Sequence, residues 1–96
     1  MSKLTLVASI TAKEGKIEEL KSTLLALIAP TKAEVGCINY HFHQNNENPA
    51  HFLFYENWET RELWQDHMET PHIKGFMAAA DELVENVAIK ELTEIV

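Results

Sequence analysis

CINYHFHQNNENPAHFLFYENW, residues 37–58, reads as two strands joined by a turn. From Cys37 to Gln44 the period is two. Ile38, Tyr40 and Phe42 point one way, and Cys37, Asn39, His41 and His43 the other. Asn45-Asn46-Glu47-Asn48-Pro49 is strong turn chemistry, because Asn side chains bond the backbone just ahead of them and Pro cannot extend a ladder. Phe52 to Trp58 is rich in the aromatic residues that sheets favour. The spacing predicts a β-hairpin.

Upstream, Leu4, Leu6, Ala8, Ile10 and Ala12 alternate with Thr5, Ser9 and Thr11, so a first strand with one buried face is expected. Lys13 to Lys16 is a turn. Ile17, Leu20, Leu24, Leu27 and Ile28 fall on one face of a helix, with Glu14, Glu18 and Glu19 at its positive end. Pro30 is expected to kink or restart this helix, and Gly36 to close it in a left-handed conformation. Downstream, Thr60 caps a short helix on which Leu63 and His67 share a face. Thr70-Pro71 opens another helix, with an apolar stripe through Ile73, Phe76, Met77, Ala80 and Leu83 or Val84. Asn86 is expected to break it, and residues 87–96 to form the last strand. The order β-α-β-β-α-β with right-handed crossovers predicts one α+β domain over residues 1–96, a ferredoxin-like sandwich with both helices on one face of an antiparallel sheet. The other face carries apolar groups from the first and last strands, and homodimerisation through it is expected.

A chain of 96 residues buries only about 60–65% of its unfolded surface, which adds to the case for association. Net charge is −7, against a role on nucleic acid or anionic membranes, both of which need a positive face. No apolar run approaches the roughly 20 residues of a membrane span. The single cysteine, Cys37, excludes an internal disulfide framework. With no signal-peptide layout at the N-terminus, a cytoplasmic location is expected.

All eight aromatic residues and all five histidines lie between Tyr40 and Phe76. An aromatic strand holding one carboxylate, followed by a helix with a histidine on its apolar side, predicts a hydrophobic pocket with a few titratable groups. Such a pocket suits a flat aromatic ligand and proton transfer. Glu56, among Phe54, Tyr55 and Trp58, is either a raised-pKa acid or base, or is paired with Arg61 or His67. His67, one turn beyond Leu63, is a satisfied core group or a base. His72 sits in the first turn of a helix, where a cation is poorly placed and a neutral acceptor is favoured. His41 and His43 lie about 6.6 Å apart on one strand face, but a metal needs a third ligand and neither His51 nor Glu56 has spacing to recommend it. No metal site is expected.

Ala33-Glu-Val-Gly-Cys-Ile-Asn-Tyr40, then Phe52-x-Phe-Tyr-Glu-x-Trp58, then Leu63-x3-His67-x3-Pro71-His72-x3-Phe76 resembles the antibiotic biosynthesis monooxygenase family, in particular its small quinol-monooxygenase-like members. The resemblance spans essentially the whole chain. It implies a dimeric α+β barrel of two ferredoxin-like sheets, with a substrate cavity between sheet and helices. Some members oxidise quinols or polycyclic phenols with O2 using neither metal nor flavin. The family's recurrent pocket positions fall here on Glu56, Trp58, His67, His72 and Phe76. The haem-degrading branch is not matched, because Ala8 or Ser9, His67 and Met77 stand at its three marker positions. A phosphate-handling isomerase branch would need cations, which only Lys32, Arg61 and Lys74 could supply.

The expected function is therefore cofactor-independent oxidation of a quinol or polyphenol by O2. Phe54, Trp58, Trp64 and Phe76 hold the ring, and His67 or His72 removes a phenolic proton. The anion passes one electron to O2, and the radicals recombine. Asn39, His41 or Glu56 orient a substrate oxygen. The alternatives are an oxygen-independent isomerase or lyase on a small carbonyl compound, and a non-catalytic ligand-binding module.

Overall fold

A computed structural model describes residues 3–96. Strand β1 (Leu4–Ala12) leads into helix α1 (Ile17–Leu25) and a short helix α2 (Ile28–Lys32). Strands β2 (Cys37–Gln44) and β3 (His51–Trp58) form the expected hairpin. Helices α3 (Arg61–His67) and α4 (Pro71–Leu83) precede strand β4 (Val84–Leu92). The sheet is antiparallel throughout, in the order β2-β3-β1-β4. The fold is the α+β ferredoxin-like sandwich.

The hairpin turn works as its asparagines suggest. Asn45 Oδ1 accepts the backbone N–H groups of Glu47 and Asn48 at 2.8 and 3.0 Å, and Asn45 N–H donates to the carbonyl of His51 at 2.9 Å. Leu6, Ala8, Ile10 and Ala12 of β1 are buried beneath the helices, together with Phe52 and Phe54 of β3. Leu20, Leu24, Leu27, Ile73 and Leu83 close over them.

Three boundaries differ from expectation, each for a local reason. The first helix breaks at Ala26–Leu27, ahead of Pro30. The pyrrolidine ring of a proline collides with the carbonyl four residues earlier, which here belongs to Ala26, so the chain turns there and restarts. A β-bulge between Cys37 and Asn39 takes Ile38 out of the alternation. Tyr40 is buried and Cys37 packs against the core, while Ile38 is 49% exposed. Finally, β4 begins at Val84 rather than Val87 and ends at Leu92. Val84 and Asn86 pair with Ala12 and Thr11 around a second irregularity, and Lys13 N–H holds the Leu83 carbonyl at 2.9 Å. Sheet bonds to β1 thus end the helix before Asn86 is reached.

Gly36 has φ of 92°, the left-handed conformation expected of it, and its carbonyl accepts the Glu59 N–H at 2.8 Å. A Cβ there would lie 2.4 Å from Leu63 Cδ1. Gly36→Ala is therefore expected to lose about 2 kcal/mol or more, from backbone strain plus displacement of Leu63. Urea unfolding checks this, and an unchanged midpoint would contradict it.

The two short helices are capped as read. Thr60 Oγ1 accepts the Leu63 N–H at 3.1 Å, and Thr70 Oγ1 accepts the Ile73 N–H at 3.4 Å. These caps fix where α3 and α4 begin, and so where His67 and His72 stand.

Candidate functional site

A cavity of about 380 Å³ lies between the sheet and the helices. Its floor is Leu6, Ala8 and Ile10 of β1 with Phe54 and Glu56 of β3. Trp64, His67 and Met68 form one wall, and Phe76, Met77 and Ala80 of α4 another. Val87 and Ile89 of β4 line it too, and both are nearly half exposed, so the cavity opens along β4. Most of this lining is apolar. Glu56, His67 and Tyr40 are its titratable groups on the aromatic side, and Asp81 and Glu85 lie on the side of α4 and β4.

Glu56 and His67 are both buried, and burial sets their chemistry. Glu56 is 5% exposed, and its Oε1 accepts the Trp58 indole N–H at 3.0 Å. Loss of hydration pushes its carboxyl up to about 7, against the pull of that hydrogen bond, and the charge of Glu34 adds to the rise. The expected pairing of Glu56 with Arg61 or His67 is not what forms. Arg61 points away and makes a two-pronged contact with Glu91, at 2.7 and 3.2 Å, while lying over the Trp64 ring. The register explains this: Glu91 pairs directly with Leu6, beside the start of α3 at the rim of the sheet.

His67 is 2% exposed, with its ring 4.7 Å from that of Trp58 and 5.9 Å from that of Tyr40. Its Nδ1 lies 2.8 Å from Glu34 Oε2, and the Nε2 of His72 lies 2.6 Å from the same oxygen. Burial holds His67 below the usual imidazole range although Glu34 pulls the other way, so its contact is a hydrogen bond from a neutral ring. An ionised carboxylate can only accept, so Nδ1 of His67 carries the proton. The other ring nitrogen, Nε2, is left with a free lone pair.

Five of the nine sequence-proposed site residues line this cavity: Glu56, His67, Phe54, Trp64 and Phe76. Trp58 is fully buried behind it, donating to Glu56. His72 does not line the cavity; it shares Glu34 with His67, which does, and its ring lies 6.0 Å from that of His67. Asn39 and His41 stand on the opposite face of the sheet. Asn39 Oδ1 accepts from Asn57 Nδ2 at 3.0 Å, Asn57 Oδ1 in turn accepts from Thr5, and His41 stacks on Tyr55. Strand alternation puts Asn39 and His41 opposite Tyr40, so they do not orient anything in this cavity.

Glu34 was not singled out in the sequence. It follows α2 in an ordinary turn and meets its partners 33 and 38 positions later. Among the described residues, the side chains of metal-ligand type that the fold brings together are Glu34, His67 and His72, with ligand atoms within 4.8 Å of one another, rather than His41 and His43. Among the described residues, no helix is long and apolar enough to cross a membrane.

The structure is similar to that of PA3566 from Pseudomonas aeruginosa, with a TM-score of 0.96 and 35% identity, covering 100% of this chain and 97% of that one. YcnE of Bacillus subtilis, named "Putative monooxygenase YcnE", is 31% identical over 94 residues, 95% of this chain and 99% of its own length. The uncharacterized protein sll1783 of Synechocystis is 30% identical over 81 residues, and this chain spans only 55% of its length. The sequence pattern of the antibiotic biosynthesis monooxygenases matches residues 3–79. The chain thus belongs to the antibiotic biosynthesis monooxygenase family, a family of enzymes, and its function is monooxygenase-like.

Proposed function

We propose that this chain is a cofactor-independent monooxygenase that oxidises a quinol or polyphenol with O2, as a single domain working in the cytoplasm. The observation that carries the reading is His67, fixed by Glu34 at one nitrogen and free at the other, in the wall of a largely apolar cavity. Phe54, Trp64 and Phe76 bury the flat ring. Nε2 of His67 takes the phenolic proton. The quinol anion then gives one electron to O2, which the neutral phenol does poorly. Semiquinone and superoxide recombine to form a C–O bond, giving a hydroperoxide. The ring C–H proton leaves as the O–O bond breaks, the distal oxygen departs as water, and the carbon keeps a carbonyl oxygen. Quinol plus O2 becomes hydroxyquinone plus water, with no net proton or electron from outside. Glu56, protonated for part of the time near pH 7, serves as hydrogen-bond donor to a substrate oxygen.

The test is oxygen uptake by chelator-treated protein given reduced menadione, compared with protein-free autoxidation and a His67→Ala/His72→Ala double variant. Uptake above both controls, with a hydroxylated product by mass, is expected. Equal rates across several quinols would remove the reading, and turnover of a carbonyl substrate without O2 would replace it with isomerisation.

A homodimer through the outer sheet face belongs to the same reading. Val7, Leu53, Tyr55 and Leu92 lie there, and Tyr55 and Leu92 are exposed. Light scattering is expected to give the mass of two 11.0 kDa chains, reduced to one by a Val7→Arg/Tyr55→Arg pair. A monomeric wild type would exclude it.

A further inference from the structure

We propose that Glu34, His67 and His72 form a binding site for a divalent transition metal of the zinc class, and that occupation switches the base off. Three protein ligands, two imidazoles and a carboxylate, with one position left for water, make a common zinc donor set. Here they come from three separate parts of the chain and already converge. Glu34 Oε2 is 2.8 Å from His67 Nδ1 and 2.6 Å from His72 Nε2, and all three ligand atoms lie within 4.8 Å of one another. Each nitrogen faces an oxygen through a proton, and an ion between them would replace those protons. Metal–ligand distances of about 2.0–2.2 Å put tetrahedral donors roughly 3.3 Å apart, so the carboxylate must retreat by about half an ångström and the two imidazole nitrogens must close in from a separation of up to 4.8 Å. Room for this exists on the solvent side, because the His72 side chain is 20% exposed and that of Glu34 15%, against 3% for His67. His72 is thus the entry ligand and His67 the fixed one. Imidazole nitrogens favour zinc, cobalt, nickel and copper over calcium and magnesium, which take oxygen.

The consequence for activity rests on the function proposed above. A metal on Nδ1 of His67 moves the neutral ring's single N–H proton from Nδ1 to Nε2, where it occupies the lone pair that would accept the phenolic proton. Bound zinc therefore blocks deprotonation instead of assisting it.

The site is tested with Co2+ added to chelator-treated full-length protein, followed by visible absorption and then by Zn2+ displacement. One Co2+ per chain is expected, displaced by Zn2+. Substitutions of outer-shell residues commonly weaken metal binding 10–100-fold, so Glu34→Gln and His72→Ala, which each remove a ligand, should weaken it by about 100-fold or more. A His41→Ala/His43→Ala/His51→Ala variant should bind as wild type does. Absence of a Co2+ spectrum overturns the site, as does binding undiminished in Glu34→Gln and His72→Ala but lost in the triple variant. Circular dichroism identifies a variant that fails to fold, and the other then decides. In the second arm, Zn2+ should abolish quinol-dependent oxygen uptake by wild type. His72→Ala, compared with its own metal-free rate, should resist it. Zinc that binds without slowing turnover overturns the switch. A protein that takes up no oxygen with any quinol overturns the proposed function, while the Co2+ spectrum still decides the site.

Discussion

With His67 replaced by glutamine, quinol-dependent oxygen uptake is expected to fall about a hundred- to ten-thousandfold, the usual contribution of a positioned general base. His67 is fixed by a hydrogen bond to Glu34 on one edge, by the Trp58 ring beside it and by the Tyr40 ring, inclined at 70°. Little motion remains to be frozen when a phenol arrives. Glutamine keeps much of the volume and a hydrogen-bonding end, but it offers no basic nitrogen. Glu34→Gln should give a smaller loss, since the amide oxygen can still accept one N–H yet cannot neutralise the imidazolium that forms during the reaction. Oxygen-electrode rates at saturating quinol check both. A His67→Gln enzyme as fast as wild type would place proton removal elsewhere, and Glu56 would be the next group to test.

Glu56→Gln is expected to stabilise the protein above pH 7 by about 3 kcal/mol, from a shift of the carboxyl from 4.5 to about 7 at 1.36 kcal/mol per pH unit. The folded state binds the Glu56 proton more tightly than the unfolded chain does. That advantage is complete below pH 4.5 and is lost as pH rises through about 7, where the buried group must ionise. Glutamine keeps an oxygen for the Trp58 indole and never ionises. The difference in unfolding free energy between wild type and Glu56→Gln should therefore grow from pH 5 to pH 8 and then level off. Parallel stability curves across that range would show that Glu56 does not titrate there. Activity should move the other way, with the variant losing whatever the carboxyl contributes to the substrate oxygen. Stability given up at a buried carboxylate and activity gained from it is the usual pattern of a functional site.

Much of the architecture was readable because it rests on local periodicity. The alternation in β1, the aromatic run of β3, the Asn-rich turn, and the Thr60 and Thr70-Pro71 helix starts are each decided within a few residues, and all appear as read. The misplaced boundaries are those where two local preferences competed, or where a partner strand intervened. Pro30 broke the helix upstream of itself, the Cys37–Asn39 bulge exposed Ile38, and pairing with β1 drew Val84 into β4. Of the residues read as a pocket, Phe54, Glu56, Trp64, His67 and Phe76 line one cavity. That reading did not predict that Asn39 and His41 would stand behind the sheet and be occupied by Asn57 and Tyr55.

The sequence by itself determined the order of strands and helices, the face that β1 buries and the aromatic character of the pocket, because those follow from side-chain period and turn chemistry. The tertiary structure alone decided the partners of the charged groups. Glu34 reaches His67 and His72 across 33 and 38 residues, Arg61 reaches Glu91 across 30, and Glu56 accepts from the Trp58 indole. The strength of such pairings depends on distance and burial in space, and no spacing along the chain encodes either.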